Sequence, residues 1–170
     1  YCQDQLCWCC VDGLVMQVTP ERCRARGGQC YPTKAEAYRK CEEEQGRCCI
    51  QGKYYGRSVD DATCGGAESG NFVLVIRQAS CGASFNGEIR DPSTGAVSMT
   101  IAGTVTPLRN GCCRIEGVTT PVPGSGDEGC RNKVTATLCL RDGKYVATDG
   151  KYRLIAGDCC EGGTFSMRQR

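Results

Sequence analysis

Four pairs of adjacent cysteines, Cys9-Cys10, Cys48-Cys49, Cys112-Cys113 and Cys159-Cys160, restrict what this chain can fold into more than any other feature. A disulfide between chain neighbours closes a strained ring, so each doublet is expected to send one sulfur to each of two partners. Each doublet then joins three chain segments. Cys7-Trp8-Cys9-Cys10 opens a pattern that continues through Gly13, Thr19-Pro20-Glu21-Arg22-Cys23 and Gly27-Gly28. A looser copy runs from Cys48-Cys49 through Gly52 to Asp60-Asp61-Ala62-Thr63-Cys64 and Gly65-Gly66. The other candidate partners are Cys2, Cys7, Cys23, Cys30, Cys41, Cys64, Cys81, Cys130 and Cys139.

Seventeen cysteines in 170 residues is the density of a disulfide scaffold. Cytosolic reductants would keep these thiols open, so the expected compartment is oxidising: extracellular space, cell surface or periplasm. The chain opens at Tyr1 without a charged-then-apolar leader, and is read as a mature product with its export signal removed. Seventeen is odd, so at most eight bonds close within the chain. The remaining sulfur is a buried thiol, a bond to a second copy or a bond to another partner. Net charge is +2, too balanced for a nucleic-acid partner, and no apolar run approaches membrane-spanning length.

The spacing divides the chain into a cysteine-rich module at 1–70 and a disulfide-braced antiparallel β-domain at 71–170. In the module, Thr19 caps a short helix that begins at Pro20 and stops at Gly27-Gly28. Thr33-Lys34-Ala35-Glu36 is a capping box for a second helix, with Ala37, Tyr38 and Cys41 on one face, Glu42-Glu43-Glu44 on the solvated side and a stop at Gly46. So few apolar residues lie here that crosslinks must supply most of the stability.

From Asn71 onward the period is that of strands. Phe72–Ile76 is a near-continuous apolar run; Val97, Met99, Ile101, Gly103 and Val105 alternate along one face, as do Val134, Ala136, Leu138 and Leu140. Asn86-Gly87, Asp142-Gly143 and Asp149-Gly150 are hairpin signals, the last two making a three-stranded meander of 133–140, 144–148 and 151–156. Asp91–Gly95 and Pro121–Gly126 are loops. The expected class is α+β, mainly β: short helices in a disulfide-rich N-terminal module, then about seven strands in a β-sandwich or open barrel.

The chain has no histidine, which removes Ser-His-Asp and Cys-His catalysis and His-held zinc. Ser69 and Ser125 read as loop residues without a base to activate them. Asp60-Asp61 and Asp127-Glu128 are the carboxylate pairs, the first read as a helix cap and the second as part of a Gly/Pro loop. Cys7-x-x-Cys10 lacks a thioredoxin-like βαβ context, and structural disulfides are favoured there over a thiophilic metal. Neither a cofactor nor a metal is expected. Trp8, Tyr31 and Tyr54-Tyr55 are candidates for ligand stacking, with packing against disulfides the simpler account.

Without catalytic groups, the expected function is that of a secreted, non-enzymatic structural protein: a self-assembling subunit of an extracellular filament or layer, with other copies of itself as partners. The terminal segments 1–5 and 162–170 would reach a neighbour by adding a strand to an open sheet edge. Alternatively Cys2 and Cys160 pin the ends within one molecule. The competing class is a soluble extracellular binding module, an adhesin, inhibitor or ligand-capturing domain.

Overall fold

The computed structural model describes residues 6–11, 14–45, 48–61, 69–82, 84–108, 111–126 and 128–170. The chain divides into two compact units, Tyr1–Arg47 and Cys48–Arg170. The boundary thus falls at Cys48 and not at 70, because residues 52–60, assigned by their cysteine spacing to the first module, pair on both sides with strands of the second unit. Over their described residues the two cysteine-glycine stretches form different elements, a strand hairpin and a short helix in the first and one long strand in the second.

The first unit holds strands β1 (Cys7–Val11), β2 (Leu14–Val18) and β3 (Gln29–Tyr31) in the order β2-β1-β3, with helices α1 (Pro20–Ala25) and α2 (Lys34–Gln45). The Thr19 side chain accepts from Arg22 N, Pro20 occupies the first helical turn, and Gly27 at φ 75° ends α1. Thr33 Oγ1 accepts from Glu36 N at 3.2 Å at the start of α2; Gly46 lies outside the described residues. Ala37 and Cys41 are buried against Cys10 and Tyr31 with Trp8 and Val15 alongside. Tyr38, expected on that face, is instead 47% exposed. One position round from Ala37, it turns to solvent, where Lys34 Nζ stands 5.7 Å from its ring.

Three disulfides, Cys7–Cys30, Cys9–Cys23 and Cys10–Cys41, tie β1 to β3, α1 and α2. Each removes about 2–4 kcal/mol of unfolded-state freedom, which a core this small requires.

The second unit is a closed barrel of eight antiparallel strands: β4 (Gly52–Asp60), β5 (Ser69–Gln78), β6 (Phe85–Arg90), β7 (Val97–Pro107), β8 (Cys112–Pro121), β9 (Arg131–Arg141), β10 (Lys144–Ala156) and β11 (Gly162–Gln169). The expected sandwich or open barrel is replaced by a ring because β11 pairs with both β10 and β4. Segment 162–170, expected to dock on a neighbour, is therefore the strand that closes its own barrel. Closure leaves the ring no free edge.

Two glycine signals expected to mark hairpins lie inside strands. Asn86-Gly87 is in β6, with Gly87 between Ile76 and Ile101. Asp149-Gly150 is an irregularity within β10, which runs unbroken where two strands of a meander were expected; Asp149 Oδ1 accepts from Thr137 N at 2.8 Å there. Asp142-Gly143 does form a hairpin turn, at φ 52° and 73°. The strand glycines serve a different purpose. Phe72 lies opposite Gly56, Tyr152 opposite Gly163 and Phe165 opposite Gly150, with each ring in the space a side chain would fill. A Cβ on Gly150 would stand 2.5 Å from the Phe165 ring. Gly150→Ala is expected to cost about 1–3 kcal/mol, read as a lower denaturant midpoint at unchanged m-value.

Inward positions form one core, while outward ones such as Lys53, Arg57, Arg114, Glu116 and Arg168 are exposed or charged, unlike the apolar band of a transmembrane barrel. No helix among the described residues is long and apolar enough to cross a membrane.

Candidate functional site

The two ends of the barrel differ. At the end where β4, β6, β8 and β10 begin, Ile50, Tyr54, Ile76, Val105, Cys113, Leu138 and Tyr145 fill the lumen. The Tyr54 hydroxyl donates to Ile50 O at 2.7 Å, and the Tyr145 hydroxyl lies 3.8 Å from Cys113 Sγ. Three disulfides brace this base: Cys48–Cys113, Cys49–Cys81 and Cys112–Cys139. Cys48 is fully buried with φ 50°, a left-handed backbone uncommon for a side chain bearing a β-carbon.

The other end is hollow. A cavity of about 220 Å³ is lined by side chains from all eight strands. Phe72, Leu74, Ile89, Met99, Ile101, Val134 and Phe165 supply its apolar wall, with Phe72 and Phe165 edge to face at 5.9 Å. Polar groups are few: Ser58, Asp60, Thr119, Asn132 and Tyr152. The Tyr152 hydroxyl donates to Asp60 Oδ1, and Thr119 Oγ1, though nearly buried, accepts from Asn132 N at 3.2 Å. That leaves the Asn132 side-chain amide in the lining, able both to donate and to accept.

Loops at the rim are held in place. Asp91 Oδ1 accepts from Ser93 N at 2.7 Å and Thr94 N at 3.0 Å; its hydrogen bonds, that from Ser93 Oγ first, hold its carboxyl below the usual range. Glu128 accepts from Gly124 N at 2.5 Å and is likewise lowered by backbone hydrogen bonds. Cys130–Cys159 joins the start of β9 to the segment after β10, and Cys160 is disulfide-bonded as well.

Burial raises the phenols of Tyr54 and Tyr145, and burial followed by the Asp60 hydrogen bond raises that of Tyr152. Each is neutral when protonated, and each folded-state pKa lies above the unfolded value near 10. Their contribution to stability is whole below about pH 10 and is lost as pH rises beyond it. Absorbance titration of the seven tyrosines should show these three ionising last, as the chain unfolds.

The doublets connect as follows: Cys9 and Cys10 reach Cys23 and Cys41; Cys48 and Cys49 reach Cys113 and Cys81; Cys112 and Cys113 reach Cys139 and Cys48; Cys159 reaches Cys130. Cys7 pairs with Cys30 and not with Cys10, so the Cys-x-x-Cys spacing is no redox pair. The sulfurs of Cys7, Cys23 and Cys30 lie within 4.8 Å of one another, but all three are in disulfides and offer no thiolate. Cys2 and Cys64 lie outside the described residues.

Asp60, read as a helix cap, instead ends β4 in the lining of the mouth, while Asp61 is exposed. Asp127 lies outside the described residues. Ser69, read as a loop residue, opens β5, where it accepts from Arg57. Among the aromatics, Tyr54 and Tyr31 are buried in cores and Trp8 packs beside Cys10 with Lys34 Nζ 5.4 Å over its ring. The aromatic groups that do line the mouth, Phe72, Phe165 and Tyr152, were not singled out. Their shared signal is a glycine opposite each across a strand pair, which requires the register to be known.

No protein-family profile matches the chain, and no curated protein matches it.

Proposed function

We propose that this chain is an extracellular, non-enzymatic binding module whose barrel mouth takes up a small, mainly apolar molecule. Seven disulfides among the described cysteines mark a fold made for an oxidising compartment. The observation that carries the binding reading is the mouth itself: one lumen packed at the base and hollow at the other end, with an apolar wall and a few hydrogen-bonding groups. That is the composition of ligand sites, and closed eight-stranded barrels have room for one small ligand. An apolar cavity of about 150 Å³ accommodates benzene; the larger volume here suits a single ring or short aliphatic chain carrying one hydroxyl or carbonyl. Asn132 and the Tyr152–Asp60 pair are placed to bond that group. Calorimetric titration with a series of substituted phenols and short-chain alcohols tests the assignment. Saturable one-to-one binding that strengthens with apolar size and then stops abruptly supports it; no heat across the series refutes it.

The second reading, a self-assembling subunit of a filament or layer, has one favourable observation. With the barrel closed, the free edges among the described residues are those of the three-stranded sheet, and Leu14 on its edge strand β2 is 64% exposed. Sedimentation separates the two: one mass at all concentrations supports the binding module, whereas mass that grows with concentration supports assembly.

A further inference from the structure

The outer wall of the barrel carries a second site. Lys53, Tyr55 and Arg57 alternate outward along β4, and Arg168 and Arg170 do so along the neighbouring chain end. Tyr55 is the centre of the group: Arg170 Cζ stands 4.4 Å and Lys53 Nζ 5.3 Å from its ring, and Arg168 is its cross-strand partner. Arg57 is held by donation to Ser69 Oγ at 3.0 Å. Among the described residues, no carboxylate lies within ion-pair distance of any of these four cations. Glu88, on the same outer wall, already serves Arg77 at 3.4 Å and Arg90 at 2.5 Å.

A chain whose net charge is only +2 thus concentrates four unneutralised cations on one face. Three of them, Arg57, Arg168 and Arg170, border an open cleft of about 550 Å³ that runs across β5, β4, β11 and β10 between Asn71 and Val146. Concentrated positive charge with no internal counter-charge attracts polyanions, the more so where a cleft focuses it. In an oxidising, extracellular setting the extended polyanion to be met is an acidic polysaccharide, whose ring hydroxyls also suit the guanidinium donors and the Asn71 amide.

We propose that this cleft binds sulfated or uronate-bearing polysaccharide chains, independently of the mouth. The test uses the full chain on immobilised heparin, with neutral dextran and single-stranded DNA as comparisons. Retention on heparin alone is expected, weakening steeply with salt. The triple substitution Arg57→Ser, Arg168→Ser, Arg170→Ser should weaken heparin binding at least tenfold. The triple Arg114→Ser, Arg131→Ser, Lys133→Ser, elsewhere on the barrel, removes the same charge and should leave most of the binding in place. All six side chains are exposed, five on strands and Arg170 just past the end of β11, so circular dichroism should report unchanged folding. Failure to bind heparin, equal loss in both triples, or retention on DNA as strong as on heparin would overturn the proposal.

Discussion

Replacing Cys48 and Cys113 together with alanine should lower the stability of the barrel by about 4 kcal/mol and its melting temperature by roughly 10–15 °C. The bond spans 65 residues, from the approach to β4 to the start of β8, so its loss releases more unfolded-chain freedom than any other described crosslink would. Both sulfurs are also fully buried among Tyr54, Tyr145 and Leu138, and their removal leaves space that the closed ring has little freedom to collapse. The contrasting pair is Cys49–Cys81, which spans 32 residues and joins cysteines with exposed surface. Its removal should cost less, and in the native chain it should be the first of the two to yield to a reductant. Differential alkylation followed by mass spectrometry gives the order of opening, and calorimetry gives the shift. A shift under about 3 °C for the buried pair would show that packing and strand pairing alone hold the base.

Met99→Trp should abolish capture of small apolar molecules while leaving the ring intact. Met99 is a half-buried residue of β7 in the wall of the mouth, near the rim, where an indole can extend into the cavity without displacing the packed base. Filling that space is expected to weaken binding of the best phenol or alcohol by more than tenfold, with circular dichroism and melting temperature nearly unchanged. Unaltered affinity would place the ligand somewhere other than the lumen. Asn132→Ala provides a finer comparison: it should weaken hydroxyl-bearing ligands by about 1 kcal/mol relative to their purely apolar analogues.

Much of the local structure was legible from residue types. Thr19-Pro20 and Thr33 start helices because a hydroxyl satisfies backbone N–H groups locally, and Asp142-Gly143 turns because its neighbours leave it nothing else to do. The alternations in β7 and β9 are equally local. What escaped were features created by distant pairing. Gly87 and Gly150 resemble turn glycines in sequence, and only the facing strand shows that each is enclosed by other residues of the lumen. Likewise, nothing in residues 162–170 announces that they complete a ring beginning at Gly52, since a closing strand has the same pattern as an edge strand. The mouth was illegible for the same reason: its lining comes from eight separate segments, each contributing one or two side chains.

The seating of each large ring over a glycine on the next strand means that the dimensions of the mouth are fixed by couples and not by single positions. Phe165 cannot be traded for a smaller group without uncovering Gly150, and Gly150 cannot gain a side chain without expelling Phe165. A variant of this barrel adapted to a bulkier guest should therefore carry compensated exchanges, a shortened aromatic matched by a side chain where its glycine stood. Relatives of this chain would then show those two positions changing together across an interval of sequence that no short motif would span.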